Sequence, residues 1–318
     1  MDGIELNDQF KAALALMEEP GKHVFITGKA GTGKSTLLQY YREHTQKNIV
    51  VLAPTGVAAV NISGQTIHSF FRFKPDITPE KVKKLPKENQ EIVRRLHAIV
   101  IDEVSMVRAD LMDCIDKVLR LNSKKKKLPF GGVKMILIGD LYQLPPVVPS
   151  QGREMFSERY KSPYFFSADC MAGGLESSGV RLEMVELEKI YRQKDNAFIQ
   201  ILNAIRTNTA EGSMLDLLNK RVGATLPPLP KGQQGFTVTL VPTNAQALEI
   251  NHARLAGLRG KAVQLCASVD GDLERGAYPA DEEVHIKKSA QVMLLNNDSL
   301  GRWVNGSMGE VASIEPGE

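Results

Sequence analysis

The feature that most constrains this chain is the run Gly28-Lys29-Ala30-Gly31-Thr32-Gly33-Lys34-Ser35, followed by Thr36. It satisfies G-x-x-x-x-G-K-[ST] in full. An apolar strand at residues 24–26 precedes it, and residues 34–44 read as a helix. The glycines let the backbone wrap tightly, so that N–H groups converge on phosphate oxygens. The start of the helix adds the positive end of its dipole. Gly28, Ala30, Gly31, Thr32 and Gly33 therefore form the expected cradle, with Thr36 just behind it. Lys34 reaches the β- and γ-phosphates of a nucleotide, and the Ser35 hydroxyl ligates magnesium. A glycine-rich turn before a surface helix is the competing reading. It does not account for strand, loop and helix together.

Around this loop the first half of the chain alternates. Helical spacing at 6–19, 34–44, 57–61 and 109–121 separates strand-like runs at 23–27, 49–53, 98–101 and 133–138. Strands joined through helices imply right-handed crossovers and a parallel sheet covered on both faces. Residues 72–96 are polar, with Pro75, Pro79 and Pro86, and read as an insertion at the sheet rim. Residues 123–132 carry Lys124, Lys125, Lys126 and Lys127 and read as a solvated turn. The character changes after Pro145-Pro146. A boundary is expected near residue 175, close to Ser177-Ser178-Gly179, which gives domains at 1–175 and 176–318. Beyond it lie a helix at 198–206, a loop at 223–235, a strand at 237–241, a helix at 245–257 and glycine-punctuated strands from 284.

Composition excludes other classes. With 42% hydrophobic and 24% charged residues in 318, the chain reads as globular rather than disordered or fibrous. No apolar run approaches the roughly 20 residues a membrane span needs. The acidic start, Met1-Asp2-Gly3-Ile4-Glu5, predicts no signal peptide. Three scattered cysteines predict neither a disulfide framework nor a zinc site, and point to a reducing cytoplasm, or the nucleoid of a bacterium. The net charge of +3 says nothing about nucleic acid, which must be argued from local placement.

Two further strand ends carry polar clusters. Ile99-Val100-Ile101 runs into Asp102-Glu103. Asp102 is the expected magnesium ligand, and Glu103 the group that orients or deprotonates a water. Ile136-Leu137-Ile138 runs into Gly139-Asp140-Leu141-Tyr142-Gln143-Leu144-Pro145-Pro146. There Gln143 offers a neutral amide to the γ-phosphate, so that ATP- and ADP-bound loops differ. Tyr191-Arg192-Gln193 supplies an arginine able to act across a cleft on a transferring phosphoryl group, although a lone arginine is normally a solvated surface residue. Residues 53–59 and 64–71 offer Thr55, backbone amides, His68 and the aromatic Phe70 and Phe71. These could bind phosphates and stack on a base, or equally serve as caps and core.

Taken in order along nearly the whole chain, these motifs resemble the superfamily-one DNA helicases of the PIF and RecD-like group. The GD-x-x-QLPP and YRQ segments are the selective ones. The resemblance implies two RecA-like α/β domains with parallel sheets, nucleotide between them, and the second domain incomplete. It implies ATP with Mg²⁺, 5′→3′ movement on single-stranded DNA or at a forked duplex, no membrane, and a monomer. It makes Gln9 the reader of the adenine edge and Arg192 a γ-phosphate contact. It makes Pro54, Thr55, Gly56, His68, Ser69 and Phe70 the grip on the strand. Pro242-Thr243-Asn244 resembles the opening of the second motor domain, with Thr243 and Asn244 as strand contacts. Residues 290–297 and 304–309 resemble the lead into a small SH3-like barrel. The family continues to a His-Lys-x-Gln-Gly stretch and a Ser-Arg motif, so the chain is expected either to be a piece of a longer motor or to lack part of one. A DNA-dependent ATPase acting as a clamp without unwinding, and a P-loop ATPase acting on protein partners, stay open as alternatives.

Overall fold

In the computed structural model, six strands form one wholly parallel sheet: β1 (His23–Gly28), β2 (Ile49–Ala53), β3 (Gln65–Thr66), β4 (Ala98–Ile101), β5 (Lys134–Ile138) and β6 (Leu182–Leu187). Their order is β3-β2-β4-β5-β1-β6. The structure describes residues 6–149, 153–171, 180–191, 196–224, 235–268, 280–295, 298, 300, 302–303 and 306–315. The chain divides into two units, Met1–Val222 and Gly223–Glu318.

The sheet is built by period-two alternation of apolar side chains. Ala98, Val100, Ile136, Ile138, Val24 and Ile26 point to one face and meet α1 (Asp8–Glu18) and α2 (Lys34–His44) through Phe10, Ala13, Met17, Leu37, Leu38 and Tyr41. Ile99, Ile101, Met135, Leu137 and Phe25 point to the other face. Between β2 and β4 the chain forms α3 (Gly56–Asn61), α4 (Ile67–Phe71) and α5 (Lys87–Arg95). The face of Ile99 and Ile101 packs on α4 and on α6 (Ala109–Asn122). Strands β4 and β5 are buried throughout, as parallel strands with helices on both sides must be. Each fully buried Ile or Leu contributes about 1.5–3 kcal/mol, so the two central strands hold much of the unit together.

Three expectations need correction. Residues 72–96 are not a polar rim insertion alone. They contain α5, and Ile77, Val82, Leu85 and Val93 enter the core. These apolar residues are too sparse among charges to show a period. The turn at 123–132 is solvated at its lysines, but Phe130 is fully buried and its N–H donates to Asp116 Oδ1 at 2.6 Å. The boundary near 175 falls inside the first unit, because β6 pairs with β1 along six residues. Its acids Glu183 and Glu186, three apart and so on opposite faces, interrupt the apolar residues, as suits a strand at the edge of the sheet. The first unit continues through α7 (Arg153–Arg159), α8 (Asn196–Arg206) and α9 (Gly212–Asn219), of which α7 precedes β6. Ser177-Ser178-Gly179 lies outside the described residues.

In the second unit, α10 (Asn244–Gly257) lies where a helix was expected. β7 (Val263–Cys266) pairs antiparallel with β8 (Glu283–Ile286), and β9 (Gln291–Met293) with β10 (Met308–Glu310). Residues 237–241 form no ladder among the described residues. The strand expected there is therefore not formed, and the described ladders of this unit are antiparallel. Among the described residues no helix is long and apolar enough to cross a membrane.

Candidate functional site

The carboxyl ends of β1, β4 and β5 lie side by side and carry the three polar clusters. After β1 the chain turns at Gly28, Gly31 and Gly33, all with positive φ. Gly33 is the N-cap of α2 with φ 89°, and a Cβ there would sit 2.8 Å from Phe10 Cζ. A Cβ on Gly28 would meet the Leu187 carbonyl at 2.5 Å. Only glycine therefore allows α1 and β6 to close beneath the loop. Thr32 is buried and ties the loop with its hydroxyl on the Lys29 carbonyl at 2.9 Å. Ala30 is exposed at the tip, and Ser35 and Thr36 are exposed in the first turn of α2.

Lys34 Nζ donates to the Gly28 and Lys29 carbonyls at 2.6 and 3.1 Å. Burial pulls its ammonium below the ordinary lysine range, against the opposing pull of Asp140, Glu103 and Asp102. Asp102, at the end of β4, is buried, and its Oδ1 accepts the Glu103 N–H at 3.0 Å. Burial pushes the Asp102 carboxyl up. Glu103 is also pushed up, by burial first and then by Asp102. Its backbone lies in the left-handed region at φ 50° and ψ 40°. Such a conformation costs about 1–3 kcal/mol in a residue with a side chain and recurs at functional sites.

The loop after β5 adds a group that the motif reading did not single out. Asp140 is 1% exposed and sits in a bidentate pair with Arg206, at 2.9 Å to Oδ1 and 3.2 Å to Oδ2. It also accepts the Tyr142 N–H at 3.1 Å and the Gln143 side-chain amide at 3.4 Å. Burial would raise its pKa, but the Arg206 pair and the Tyr142 N–H hold it below the usual range. The Arg206 guanidinium lies 4.1 Å from the centre of the exposed Tyr142 ring. Nothing in the sequence near Arg206 marks it; only the fold brings the last turn of α8 to this loop.

Tyr191, the first residue of the Tyr191-Arg192-Gln193 segment, closes the phosphate loop from the side. The Tyr191 N–H donates to the Gly31 carbonyl at 2.8 Å, and its hydroxyl accepts from Asn7 Nδ2 at 3.0 Å. Its ring meets Phe10 edge-on at 6.1 Å. Arg192, next in the chain, lies outside the described residues, as does Gln193. Gln9 stands beside the same loop. Both ends of its amide engage Glu188, through Nε2 to the carboxylate and from the Glu188 N–H to Oε1, each at 3.0 Å.

The proposed strand grip is only partly assembled. Pro54, Thr55 and Gly56 lead from β2 into α3, where Thr55 caps the helix by accepting the Ala58 N–H at 3.3 Å. Ser69 is exposed, and its N–H caps onto Thr66 at 3.1 Å. His68 is half-buried, edge-on to Phe73, and held below its ordinary pKa by burial and then by Arg108. Phe70 does not offer a stacking face. It is buried in the core with Phe71, the two rings edge to face at 4.9 Å. In the second unit Thr243 is the N-cap of α10 and Asn244 its first residue, both exposed.

The residues present fit a magnesium nucleotide. Lys34 and Arg206 face three carboxylates, so a polyphosphate would add negative charge to a site that already has an excess of it. A divalent cation balances that charge, and the Ser35 hydroxyl and Asp102 carboxylate are the hard oxygen donors magnesium takes alongside substrate phosphates.

Residues 5–214 match the family model described as PIF1-like helicase. The chain is similar to the ATP-dependent DNA helicase Pif1 of Bdellovibrio bacteriovorus, 32% identical over 323 residues, covering 98% of this chain and 68% of that protein. It is similar to the ATP-dependent DNA helicase PIF1 of Emericella nidulans, 32% identical over 326 residues, covering 96% of this chain but only 41% of that protein. Among solved structures, the Pif1 helicase from Bacteroides in complex with ADP-AlF3 and ssDNA superposes with a TM-score of 0.82 at 33% identity, covering 99% of this chain and 71% of that one.

Proposed function

The chain belongs to the PIF1-like helicase family, and on that premise we propose that it is an ATP-hydrolysing motor moving 5′→3′ along single-stranded DNA. The observation that carries this reading is the meeting of Lys34 with Asp102, Glu103 and Asp140 at adjacent strand ends, under a glycine cradle that no Cβ would fit.

In this reading the loop amides hold the phosphates. Lys34 exchanges the Gly28 and Lys29 carbonyls for phosphate oxygens. Magnesium, held by Ser35 and Asp102, neutralises charge on the phosphates when bound. Glu103, whose raised proton affinity suits a base, orients and deprotonates the attacking water. Gln143, tethered to Asp140, reports the γ-phosphate to the loop after β5. Arg192 stabilises charge on the transferring phosphoryl group, and Gln9 reads the adenine edge once Glu188 releases part of its amide. Pro54, Thr55, Gly56, His68 and Ser69 grip the strand on the first unit, and Thr243 and Asn244 contact it on the second. Stepping requires that the ATP- and ADP-bound states hold the strand with unequal affinity. One copy suffices for translocation, and the site of action is the cytoplasm or nucleoid.

ATPase rates with and without a single-stranded oligonucleotide test the reading. Strong stimulation is expected, and none would remove DNA as the activator. A forked duplex with a 5′ tail, set against one with a 3′ tail, separates a directional motor from a DNA-dependent ATPase that does not unwind. Sedimentation on the oligonucleotide reads the stoichiometry.

A further inference from the structure

We propose that the first unit carries a second nucleic-acid surface, a lysine-lined face that holds the phosphate backbone of duplex DNA. The partner class rests on the DNA-motor reading above. The surface itself stands on different residues.

Two lysine runs far apart in sequence converge on one residue, Asn122, at the end of α6. Lys83, Lys84 and Lys87 flank Leu85, whose N–H donates to Asn122 Oδ1 at 3.2 Å. The lysines of 124–127 begin two residues after Asn122. Arg94 Nε donates to the Asn122 carbonyl at 3.3 Å and brings α5 to the same place. All seven lysines are exposed, and among the described residues none lies within ion-pair distance of a carboxylate. Nearby acids are engaged elsewhere: Asp116 with Arg120 at 2.7 Å and Glu91 with Arg95 at 3.9 Å, which leaves Glu88 on α5 as the opposing charge. The whole chain is only +3, so seven exposed lysines on two segments that meet at Asn122 are a concentration of charge rather than its average.

The backbone beneath the lysines is fixed. Asn122 Nδ2 donates to the Val118 carbonyl at 2.7 Å, Ser123 Oγ to the Gly131 carbonyl at 2.6 Å, and the Phe130 N–H to Asp116 at 2.6 Å. A segment whose backbone is already ordered loses less entropy on binding than a floppy run does.

Position and chemistry choose the occupant. The two segments lead into the amino ends of β4 and β5, whereas the phosphate loop, Asp102, Glu103 and Asp140 leave from carboxyl ends. The surface is thus toward the opposite ends of the strands, and its occupancy leaves the nucleotide site clear. Single strands are held largely by stacking on exposed rings. The aromatic residue of the 123–132 segment, Phe130, is fully buried. Lysine is a point charge without the planar fork that reads base edges. Lysines on an ordered backbone, without exposed rings beside them in the 123–132 segment, fit the dense, regular phosphates of a duplex, independent of sequence.

The test combines Lys83→Gln, Lys84→Gln, Lys124→Gln and Lys126→Gln, sparing Lys125, whose stem packs on Gly132. The probes are a blunt fluorescent duplex and a single-stranded oligonucleotide, each titrated by anisotropy across salt. If four phosphates lose their partners, the log–log salt slope for the duplex falls by about 3.6, which is about 150-fold in affinity between 50 and 200 mM salt. Single-stranded stimulation of the ATPase is expected to stay at the parent value, and arginine at the same four positions to restore the duplex slope. An unchanged duplex affinity and slope in the glutamine variant overturns the proposal. So does a parent protein that does not bind the blunt duplex. A parent that binds the duplex but shows no single-strand stimulation counts against the motor reading and leaves this surface standing.

Discussion

Replacing Arg206 by glutamine leaves Asp140 buried without its cation, and the consequences can be worked through. Removing one partner of a buried pair costs about 3–5 kcal/mol, mostly because the remaining charge is uncompensated. The Tyr142 N–H still donates to Asp140 Oδ1, so the lower end, about 3 kcal/mol, is expected. At about 2–4 °C per kcal/mol for a unit of this size, the midpoint of thermal unfolding drops by about 6–12 °C. The pH dependence carries the signature. In the parent, the Asp140 pKa lies below its ordinary value, so the pair stabilises above that value and is lost as pH falls through the folded one. In the variant burial is opposed only by the Tyr142 N–H and the Lys34 charge, so the folded pKa rises and protonation relieves the cost. The gap between parent and variant therefore narrows as the solution is taken from neutral toward pH 4. Asp140, no longer clamped by Arg206, holds Gln143 less firmly, and a displacement of about 1 Å costs about 10²-fold in turnover with little change in KM for ATP. Urea melts of the parent, Arg206→Gln, Asp140→Asn and the double variant close a cycle. Coupling within about 0.5 kcal/mol of zero would mean that the two residues act independently and refute the reasoning.

Other outcomes follow from the same geometry. Glu103→Gln should retain nucleotide binding by calorimetry and lose about 10²–10⁴-fold in turnover; parent-like turnover would remove Glu103 from its role. Burial and the nearby Lys134 pull the His23 pKa down to about 4, and its Nδ1 accepts the Met135 N–H at 3.0 Å. The unfolded chain takes up that proton near pH 6.5, so stability is full above this and falls toward pH 4, by up to about 1.4 kcal/mol per pH unit. His23→Gln should flatten that slope in denaturant melts, and an identical slope would acquit His23. Gly33→Ala puts a methyl 2.8 Å from Phe10 Cζ at φ 89°, which should cost about 1–2 kcal/mol from the backbone alone and abolish magnesium-nucleotide uptake in calorimetry. Parent-like affinity would show that the loop does not need its close approach to α1.

The nucleotide loop and the acids were legible in the sequence because each is written locally. Strand, glycines, helix and the Asp102-Glu103 pair all declare themselves within a few residues of where they act. What escaped the sequence depends on partners far along the chain. Arg206 meets Asp140 across 66 positions, and nothing about an arginine in the last turn of an amphipathic helix says which carboxylate it will find. Phe70 misled for the opposite reason. An aromatic residue beside His68 looks the same whether it faces solvent or core, and the packing of α4 on Ile99 and Ile101 decided for core. Burial there contributes about 1.5–3 kcal/mol, more than an exposed stacking surface returns until a base is bound.

The misplaced boundary has a mechanistic consequence. Strand β6 escaped notice because its acids break the apolar run, so the chain beyond residue 175 was assigned to a separate lobe. In the structure β6 lies against β1 in register, Thr27 beside Glu186 and Gly28 beside Leu187. Four residues after β6 ends, the Tyr191 amide reaches the Gly31 carbonyl. The strand that delivers the tyrosine and the strand that delivers the phosphate loop are thus hydrogen-bonded neighbours. A shift of that loop on binding phosphate pulls on Tyr191 through its amide bond to Gly31, against the Asn7 bond and the Phe10 ring contact that hold its side chain to α1. Tyr191 is therefore built as a follower of the loop. A change at Tyr191 that spares the fold should alter how nucleotide occupancy is passed on more than how tightly nucleotide binds. Tyr191→Phe, which deletes only the bond from Asn7 at a cost of about 1 kcal/mol, isolates that step. MgATP affinity should hold while the nucleotide dependence of single-strand binding weakens, and an equal loss in both would make the tyrosine an ordinary part of the binding site.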